Sequence, residues 1–271
     1  MTAPPTPVWR APSERGGSLL RLRYASIDEW AEFVIDERGE RVWIGHSETV
    51  LLCEAAELLL GPVFTCVLTQ RGRTCLHASV VALSGRVLAL VGSSGSGKSS
   101  TAAALIERGG SVICDDVAAL TEREGRFVIS PGTAQLRIRS EAAPVVVGAF
   151  DELEPIWAHE HLRPAKRYTR GGVELANPDR LAVDAVYLLG AREAPATVPS
   201  VSALAAVQAL PLLMANRHLA DTLDRAAHSR DFELLARLAE SVPVRELRRP
   251  EGLDAITQTA AAIAADTRRL S

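Results

Sequence analysis

The sequence contains few cysteines and few aromatic residues, and positive charge is not in excess. Among its 271 residues are four cysteines (Cys53, Cys66, Cys75 and Cys114), while aromatic residues account for 4%. So few cysteines, none in a CxxC pair, exclude a small disulfide-stapled fold and give no spacing typical of zinc. Their sequence neighbours are apolar, which predicts buried free thiols in a reducing, cytoplasmic compartment. A net charge of −3 excludes the polycationic surface typical of nucleic-acid binding.

Long uninterrupted apolar runs are also missing. The most apolar window, residues 50–68, contains Glu54, Glu57 and Gly61-Pro62, so we predict that it does not span a bilayer. The first residues show no basic stretch followed by an apolar one, and therefore no secretory signal. With 47% hydrophobic and 23% charged residues, the composition is that of a globular protein and excludes a disordered chain. We expect no membrane partner.

Turn residues and apolar patterns divide the chain into two predicted units. Residues 1–73 are expected to form a small N-terminal domain, with residues 1–18 poorly ordered, and residues 74–271 a larger domain. In the first unit, short apolar alternations predict strands, and residues 48–60 predict a helix that ends at Gly61-Pro62. This combination predicts an α+β arrangement for the N-terminal unit.

The second unit alternates strand and helix patterns, which predicts an α/β fold. Residues 76–83 and 86–91 flank Ser84-Gly85, a two-residue hairpin signal. The other predicted elements are a helix over 98–108, strands over 111–114, 117–120, 126–129, 134–139 and 181–189, and mostly helical sequence from 201, interrupted at 242–247.

A glycine- and serine-rich stretch carries the clearest chemical signal. Residues 92–99 match the phosphate-binding P-loop pattern GxxxxGK followed by Ser or Thr. Glycines let successive backbone N–H groups point into one concavity, and the following helix adds its N-terminal dipole. Lys98 is predicted to reach the β- and γ-phosphates, and Ser99 to bind Mg²⁺. The predicted nucleotide-binding residues are Gly92, Ser93, Ser94, Gly95, Ser96, Gly97, Lys98, Ser99 and Ser100.

Motifs that would specify the reaction of a P-loop protein are missing. The sequence has no Asn/Thr-Lys-x-Asp segment to read guanine and no LSGGQ-like segment, which disfavours a regulatory GTPase and a transport ATPase. The chain is also too short for a helicase or motor core. Because no base-reading motif is visible, ATP and GTP both remain open as the nucleotide.

Two adjacent carboxylates and one histidine are further candidates for chemistry. Asp115 and Asp116 follow the apolar residues 112–114, and ATPases hold Mg²⁺ with a carboxylate that ends a strand beside the P-loop strand. One carboxylate can serve the metal while the other accepts the proton of an attacking hydroxyl. His77 lies fifteen residues before Gly92 in an apolar strand, where a structural core histidine is the alternative interpretation.

Taken together, these residues resemble the HPr kinase/phosphorylase family. The resemblance covers roughly residues 74–140 and rests on His77, the P-loop, a helix ending in Leu105-Ile-Glu-Arg-Gly109, and Asp115-Asp116. Lys98 precedes the two aspartates by 17 and 18 residues, a separation that matches the family. The resemblance implies a P-loop kinase core of the HPr kinase type, with a mixed sheet and flanking helices, behind the small α+β N-terminal domain.

The resemblance also assigns roles to the matching positions. It implies that Asp116 is the general base toward a substrate serine and that His77 is the active-site histidine. It implies that Asp115 lies near Mg²⁺, with Ser99 as the P-loop ligand. Glu141 falls where the family has a later metal-site glutamate. Members of the family are hexamers, but their assembling C-terminal part is not recognisable in this sequence, so both a homo-oligomer and a monomer remain open.

One departure from the family changes the expected substrate. The family's RGxG-type segment is missing, since Glu141 is followed by Ala-Ala-Pro, which disfavours HPr as substrate and the reverse phosphorolysis. The chain is more similar to the HPr-kinase-related lasso-peptide kinases, which phosphorylate a serine of a precursor peptide. We therefore predict an ATP-dependent peptide serine kinase, in which Lys98 acts in catalysis and Arg137, Lys166 or Arg167 meets the transferring phosphoryl group. The alternatives are a P-loop ATPase or nucleotide switch without an acceptor, and a small-molecule kinase acting on a free serine-type hydroxyl.

Overall fold

A computed structural model of the chain describes residues 9–12, 18–25, 29–132, 134–146, 153–155, 165–168, 181–192, 198–219 and 224–270. The first four strands form an antiparallel sheet in the order β1-β2-β3-β4. They are β1 (Trp9–Pro12), β2 (Ser18–Ala25), β3 (Trp30–Ile35) and β4 (Val42–His46). Buried residues alternate along β2 and β3, as expected for strands with one covered face. Of the predicted poorly ordered start, residues 1–8 and 13–17 lie outside the described residues.

A long helix covers the apolar face of this sheet. It consists of α1 (Leu52–Leu58), a π-helical turn (Leu59–Val63) and α2 (Phe64–Gln70). Its buried residues Leu58, Val63 and Val67 pack against the sheet in one hydrophobic cluster. The prediction that the helix ends at Gly61-Pro62 is wrong. The π-helical turn takes up the proline, whose missing N–H and bulky ring would break a regular α-helix.

The same helix is long and apolar enough, by length and composition, to cross a membrane. Of its most apolar window, 44% is buried within the protein. The buried residues include Glu57, whose carboxylate forms an ion pair with Arg137. The helix therefore has the packed inner face of a surface helix in a folded domain.

The remaining strands and helices follow in chain order. The strands are β5 (Thr74–Leu83), β6 (Arg86–Val91), β7 (Ser111–Cys114), β8 (Val117–Arg123), β9 (Arg126–Ile129), β10 (Leu136–Arg139), β11 (Glu154–Pro155), β12 (Ala165–Tyr168), β13 (Ala185–Arg192), β14 (Ser200–Ala203) and β15 (Val244–Arg249). The helices are α3 (Lys98–Ile106), α4 (Ala143–Val146), α5 (Ala206–Ala215), α6 (Arg225–Ser241) and α7 (Ala255–Thr267).

A mixed sheet in the order β14-β15-β13-β6-β5-β8-β9, with β7 also paired to β5, forms the centre of the second unit. Strands β6, β13 and β15 are parallel to one another, and β5 is antiparallel to β6 and β7. Residues of α3 and α7 share one hydrophobic cluster with the sheet, and residues of α5 and α6 share the other. The predicted α/β class, a mixed sheet with flanking helices behind a small α+β unit, is confirmed.

Some predicted elements differ from the observed ones. The strand predicted over 181–189 begins at Ala185, and the helix predicted over 98–108 ends at Ile106. The sequence from residue 201 begins with strand β14 rather than a helix, and its predicted interruption at 242–247 is the parallel strand β15. All four cysteines are free thiols as predicted, but Cys53 is exposed while the other three are buried.

Candidate active site

The P-loop and the two predicted aspartates lie at one edge of the central sheet. Strands β6, β7, β13 and β15 all run in one direction, so their carboxyl ends lie at the same edge. The P-loop follows β6, and Asp115 and Asp116 follow β7. In open α/β sheets, ligands bind outside the carboxyl ends of the parallel strands.

The loop between β6 and α3 has the backbone shape that a P-loop requires. Gly97 precedes α3 with φ of 90°, a left-handed conformation that glycine adopts without strain. A Cβ atom at Gly92 would lie 2.7 Å from Ser96 Oγ and 3.0 Å from the Leu189 carbonyl oxygen. Only glycine therefore fits at position 92 without a shift of the loop or of the neighbouring strand.

The side chain of Lys98 lies over the loop that precedes it. It is 5% exposed, and its ammonium donates to the carbonyl oxygens of Gly92 at 2.8 Å and Ser93 at 3.0 Å. Burial lowers the pKa of Lys98 to about 8, although the nearby Asp115 and Asp116 carboxylates oppose this change. These hydrogen bonds keep the ammonium at the mouth of the loop, where nucleotide phosphates bind in P-loop proteins.

Asp115 faces the P-loop. Its Oδ1 accepts hydrogen bonds from Ser99 Oγ at 3.1 Å and from the Ser79 hydroxyl. Its Oδ2 accepts from the backbone N–H of Arg137 at 3.1 Å. Burial raises the pKa of Asp115, and the neighbouring carboxylate of Asp116 adds to this, while the hydrogen bonds oppose it.

The pair of Ser99 and Asp115 fits a magnesium ion. Mg²⁺ is usually held by one or two carboxylates, water and substrate phosphates rather than by a complete protein cage. Within the described part of the chain, no group of three or more His, Cys, Asp or Glu side chains forms a potential metal cluster. Glu141, predicted as a third metal residue, is exposed in the turn after β10. Of the three predicted metal residues, Ser99 and Asp115 thus lie together, whereas Glu141 lies in the turn after β10.

Asp116 is presented by a strained three-residue turn. Its φ is +70°, and the N–H of Val117 donates to the Asp115 carbonyl oxygen at 2.9 Å across it, which defines a γ-turn. This kind of turn, with a positive φ at its centre, is rare and costs backbone free energy. The turn separates β7 from β8, which both pair with β5, and as a result the two adjacent carboxylates contact different partners.

The partners of Asp116 are cationic or polar. His77 Nε2 donates to Oδ1 at 3.0 Å, and Nη1 of Arg137 donates to Oδ2 at 3.3 Å. Burial alone would raise the pKa of Asp116, but the hydrogen bond from His77 and the charge of Arg137 outweigh it, with a further contribution from His218. The pKa therefore lies well below its usual range, and Asp116 is a carboxylate at neutral pH.

Four site residues had not been predicted. Glu57 Oε2 accepts from Nη2 of Arg137 at 2.9 Å. The ring of His218 lies edge-on to that of His77 at 5.4 Å between centroids, and its Nδ1 shares a 3.0 Å hydrogen bond with the Thr65 hydroxyl. The fourth is Ser79. The alternation of β5 could have indicated Ser79, which is two residues from His77, but nothing near His218 in sequence marks it.

The remaining predicted residues are placed as follows. Ser93, Ser94 and Gly95 are exposed in the P-loop, and Ser100 is partly buried in the first turn of α3. Strand β12 pairs with β10 so that Arg167 is opposite Arg137 and Lys166 opposite Ile138. The side chains of Lys166 and Arg167 lie outside the described residues, so their predicted contact with a phosphoryl group stays a prediction.

Comparison with known proteins gives a distant structural likeness. No family model and no curated protein matches the sequence. Among solved structures, that of the Hpr(Ser) kinase/phosphatase from Coxiella burnetii matches with a TM-score of 0.34 and 14% identity, over 72% of this chain and 96% of that chain. A likeness at this level does not establish a function.

Proposed function

We propose that this protein is a kinase that transfers the γ-phosphoryl group of ATP to a serine hydroxyl. The observation that carries the proposal is the division between two adjacent carboxylates beside a P-loop. Asp115 shares a hydrogen bond with the P-loop Ser99, whereas Asp116 faces His77 and Arg137. One carboxylate is thus available to a metal and the other to an acceptor hydroxyl.

On the nucleotide side, the backbone N–H groups of residues 92–99 are available to the phosphates. Lys98 exchanges its bonds to loop carbonyl oxygens for phosphate oxygens. Ser99 and Asp115 are the residues that would hold Mg²⁺. When bound, the metal would neutralise charge on the β- and γ-phosphate oxygens.

On the acceptor side, Asp116 takes the proton of the attacking hydroxyl. The serine oxygen forms a bond to the γ-phosphorus while the bond from that phosphorus to the β–γ bridging oxygen breaks, which releases ADP. His77 orients the carboxylate through its 3.0 Å hydrogen bond. Arg137, 3.3 Å from the same carboxylate, supplies positive charge near the transferring group.

The finer proposal is that the acceptor is a peptide, and specifically a lasso-peptide precursor. The N-terminal unit borders the acceptor carboxylate, because a Cβ atom at Gly61 would lie 3.9 Å from Asp116 Oδ2. The same helix supplies Glu57 to Arg137. An acceptor bound at Asp116 would therefore lie next to this helix, which offers a longer substrate contacts that a free amino acid does not need. The lasso class rests on the sequence resemblance.

The proposal is tested by incubating the purified protein with Mg²⁺, ATP or GTP, and three acceptors. These are HPr, free serine and a serine-containing lasso precursor peptide, and mass spectrometry measures phosphoryl addition. We expect phosphorylation of the peptide alone. Asp116→Asn should reduce transfer by about 100- to 10,000-fold, the usual effect of losing a general base, while ATP binding is retained.

Two control variants make the result specific. Lys98→Ala should lose both ATP binding and transfer, and Glu122→Gln, a surface carboxylate paired with Arg237, should behave as wild type. ADP formation with every acceptor unmodified would contradict the proposal and favour the ATPase switch. Phosphorylation of free serine alone would identify a small-molecule kinase, and full transfer by the Asp116 variant would refute the role of that residue.

A further inference from the structure

Two arginines lie together at the ends of β13 and β15. Arg192 and Arg249 are register partners across these parallel strands, after a register shift between Leu189 and Arg192. Such irregularities often occur beside active sites, where they redirect a side chain. In the order of the sheet, β13 and β15 lie on the opposite side of β6 from β5 and β7, which carry His77 and the two aspartates.

Both guanidinium groups reach the P-loop. A Cβ atom at Gly97 would lie 3.4 Å from Nη1 of Arg249 and 3.5 Å from Nη2 of Arg192. Arg249 is 5% exposed, and it donates to the carbonyl oxygens of Ser96 at 2.7 Å and Gly190 at 2.9 Å. Its buried Nε has no hydrogen-bond partner. Arg192 is exposed.

The two positive charges have no carboxylate partner within the described ranges. None of the ion pairs there includes Arg192 or Arg249. Burial and, to a smaller extent, the charge of Arg192 lower the pKa of Arg249 to about 10. Like charges placed opposite each other on neighbouring strands are unfavourable, so a bound anion at this position would stabilise the pair.

We propose that Arg192 binds the phosphate chain of the nucleotide from the side opposite the two aspartates, and that Arg249 holds the P-loop in place beside it. Arg192 contacts a phosphate directly. Arg249 positions Ser96 and Gly97 so that their backbone faces the phosphates of the nucleotide. A planar guanidinium suits this role because it donates two parallel hydrogen bonds to phosphate oxygens. The inference rests on the proposed function only in requiring that a nucleotide binds the P-loop.

The test is a calorimetric titration of the full-length protein with ATP, ADP and AMP. Arg192→Gln is expected to weaken ATP and ADP binding by about 10- to 100-fold, the size of a lost charge-assisted hydrogen bond. Arg192→Lys should recover part of this loss, because it restores the charge without the planar fork. Arg248→Gln is the matched control, since Arg248 is an exposed neighbour in β15 that pairs with Glu246.

The outcomes separate this inference from the proposed function. If Lys98→Ala abolishes ATP binding while Arg192→Gln and Arg248→Gln both bind as wild type, the role of Arg192 is refuted and nucleotide binding stands. If Arg192→Gln alone weakens binding but no acceptor is phosphorylated, the inference holds and the kinase proposal fails. Wild-type protein that binds none of the three nucleotides would overturn both. Circular dichroism of each variant confirms that a loss of binding is not a loss of folding.

Discussion

At the scale of single residues, the protonation of Lys98 links the fold to nucleotide binding. The side chain is buried and donates hydrogen bonds to carbonyl oxygens of the P-loop. Burial lowers its pKa to about 8. A nucleotide brings several negative charges to the same place, which favours the charged ammonium and raises its pKa. Binding above about pH 8 must therefore take up a proton.

We expect ATP affinity to fall as pH rises above about 8. The decrease should approach about tenfold per pH unit, the slope for uptake of one proton. Calorimetry in two buffers of different ionisation enthalpy measures both affinity and proton uptake. Lys98→Arg is the matched control, because its guanidinium stays charged and its pH profile should be flatter. Equal profiles for the two proteins would contradict this assignment.

Two adjacent residues show how far sequence reasoning reaches at this scale. The motif and its spacing predicted that Asp115 and Asp116 would stand beside the P-loop. Two neighbouring aspartates in a sequence are chemically equal. The assignment of Asp115 to the metal and of Asp116 to the acceptor proton therefore came from the family resemblance. The physical difference between them is the γ-turn with φ of +70° at Asp116, a strained conformation that the sequence pattern alone does not reveal.

At the scale of structural elements, a short segment after α5 completes the site. The N–H of His77 donates to the Asn216 carbonyl oxygen at 2.9 Å, and the N–H of His218 donates to that of Cys75 at 2.8 Å. A buried ion pair between Arg217 and Asp231 of α6, at 3.3 Å, holds this segment against β5. The position of His218 in the site thus depends on a helix that contributes nothing else to it.

We expect Asp231→Ala to lower the free energy of unfolding by about 3–5 kcal/mol, because it leaves the buried Arg217 without its partner. The Thr74 hydroxyl, which donates to Asp231 at 2.8 Å, loses its acceptor as well. Urea denaturation measures the change. Glu122→Ala breaks a largely exposed pair with Arg237 and should cost at most about 1 kcal/mol. Similar losses in the two variants would show that the buried pair has no special structural role.

Elements with strong local signals were predictable, whereas those fixed by distant packing were not. The hairpin at Ser84-Gly85 was predicted from its turn signal and the start of α3 at Lys98 from the P-loop motif, and both are confirmed. Pro62 within a helix and the pairing of His218 with β5 depend on contacts remote in sequence. Propensity rules cannot anticipate such contacts, since tertiary packing overrides local preference.

At the scale of the whole molecule, the N-terminal helix and the central sheet meet at the site. Glu57 pairs with Arg137, and Thr65 shares a hydrogen bond with His218 across the same boundary. Burial and the positive charges nearby, including Lys98, lower the pKa of His218 to about 4, against the opposing effect of the Asp116 carboxylate. His218 is therefore neutral in the folded protein at pH values where an exposed histidine is already charged.

This difference predicts a loss of stability in mild acid. Because the folded pKa of His218 is about 4 and the unfolded value about 6.5, stability from this group is complete above about pH 6.5 and decreases as pH falls toward 4. The lowered pKa of Asp116 reduces stability only below about pH 3.8, the ordinary pKa of an aspartate. The contributions of His218 and Asp116 to the pH dependence of stability therefore fall in different pH ranges. Between pH 7 and 5, we expect His218 to account for about 2 kcal/mol of lost unfolding free energy. Urea denaturation of His218→Gln should show a correspondingly smaller loss of unfolding free energy between about pH 7 and 5. The control His46→Gln, at an exposed histidine, should lose as much as wild type. Parallel pH profiles for all three proteins would contradict a buried neutral histidine at this boundary.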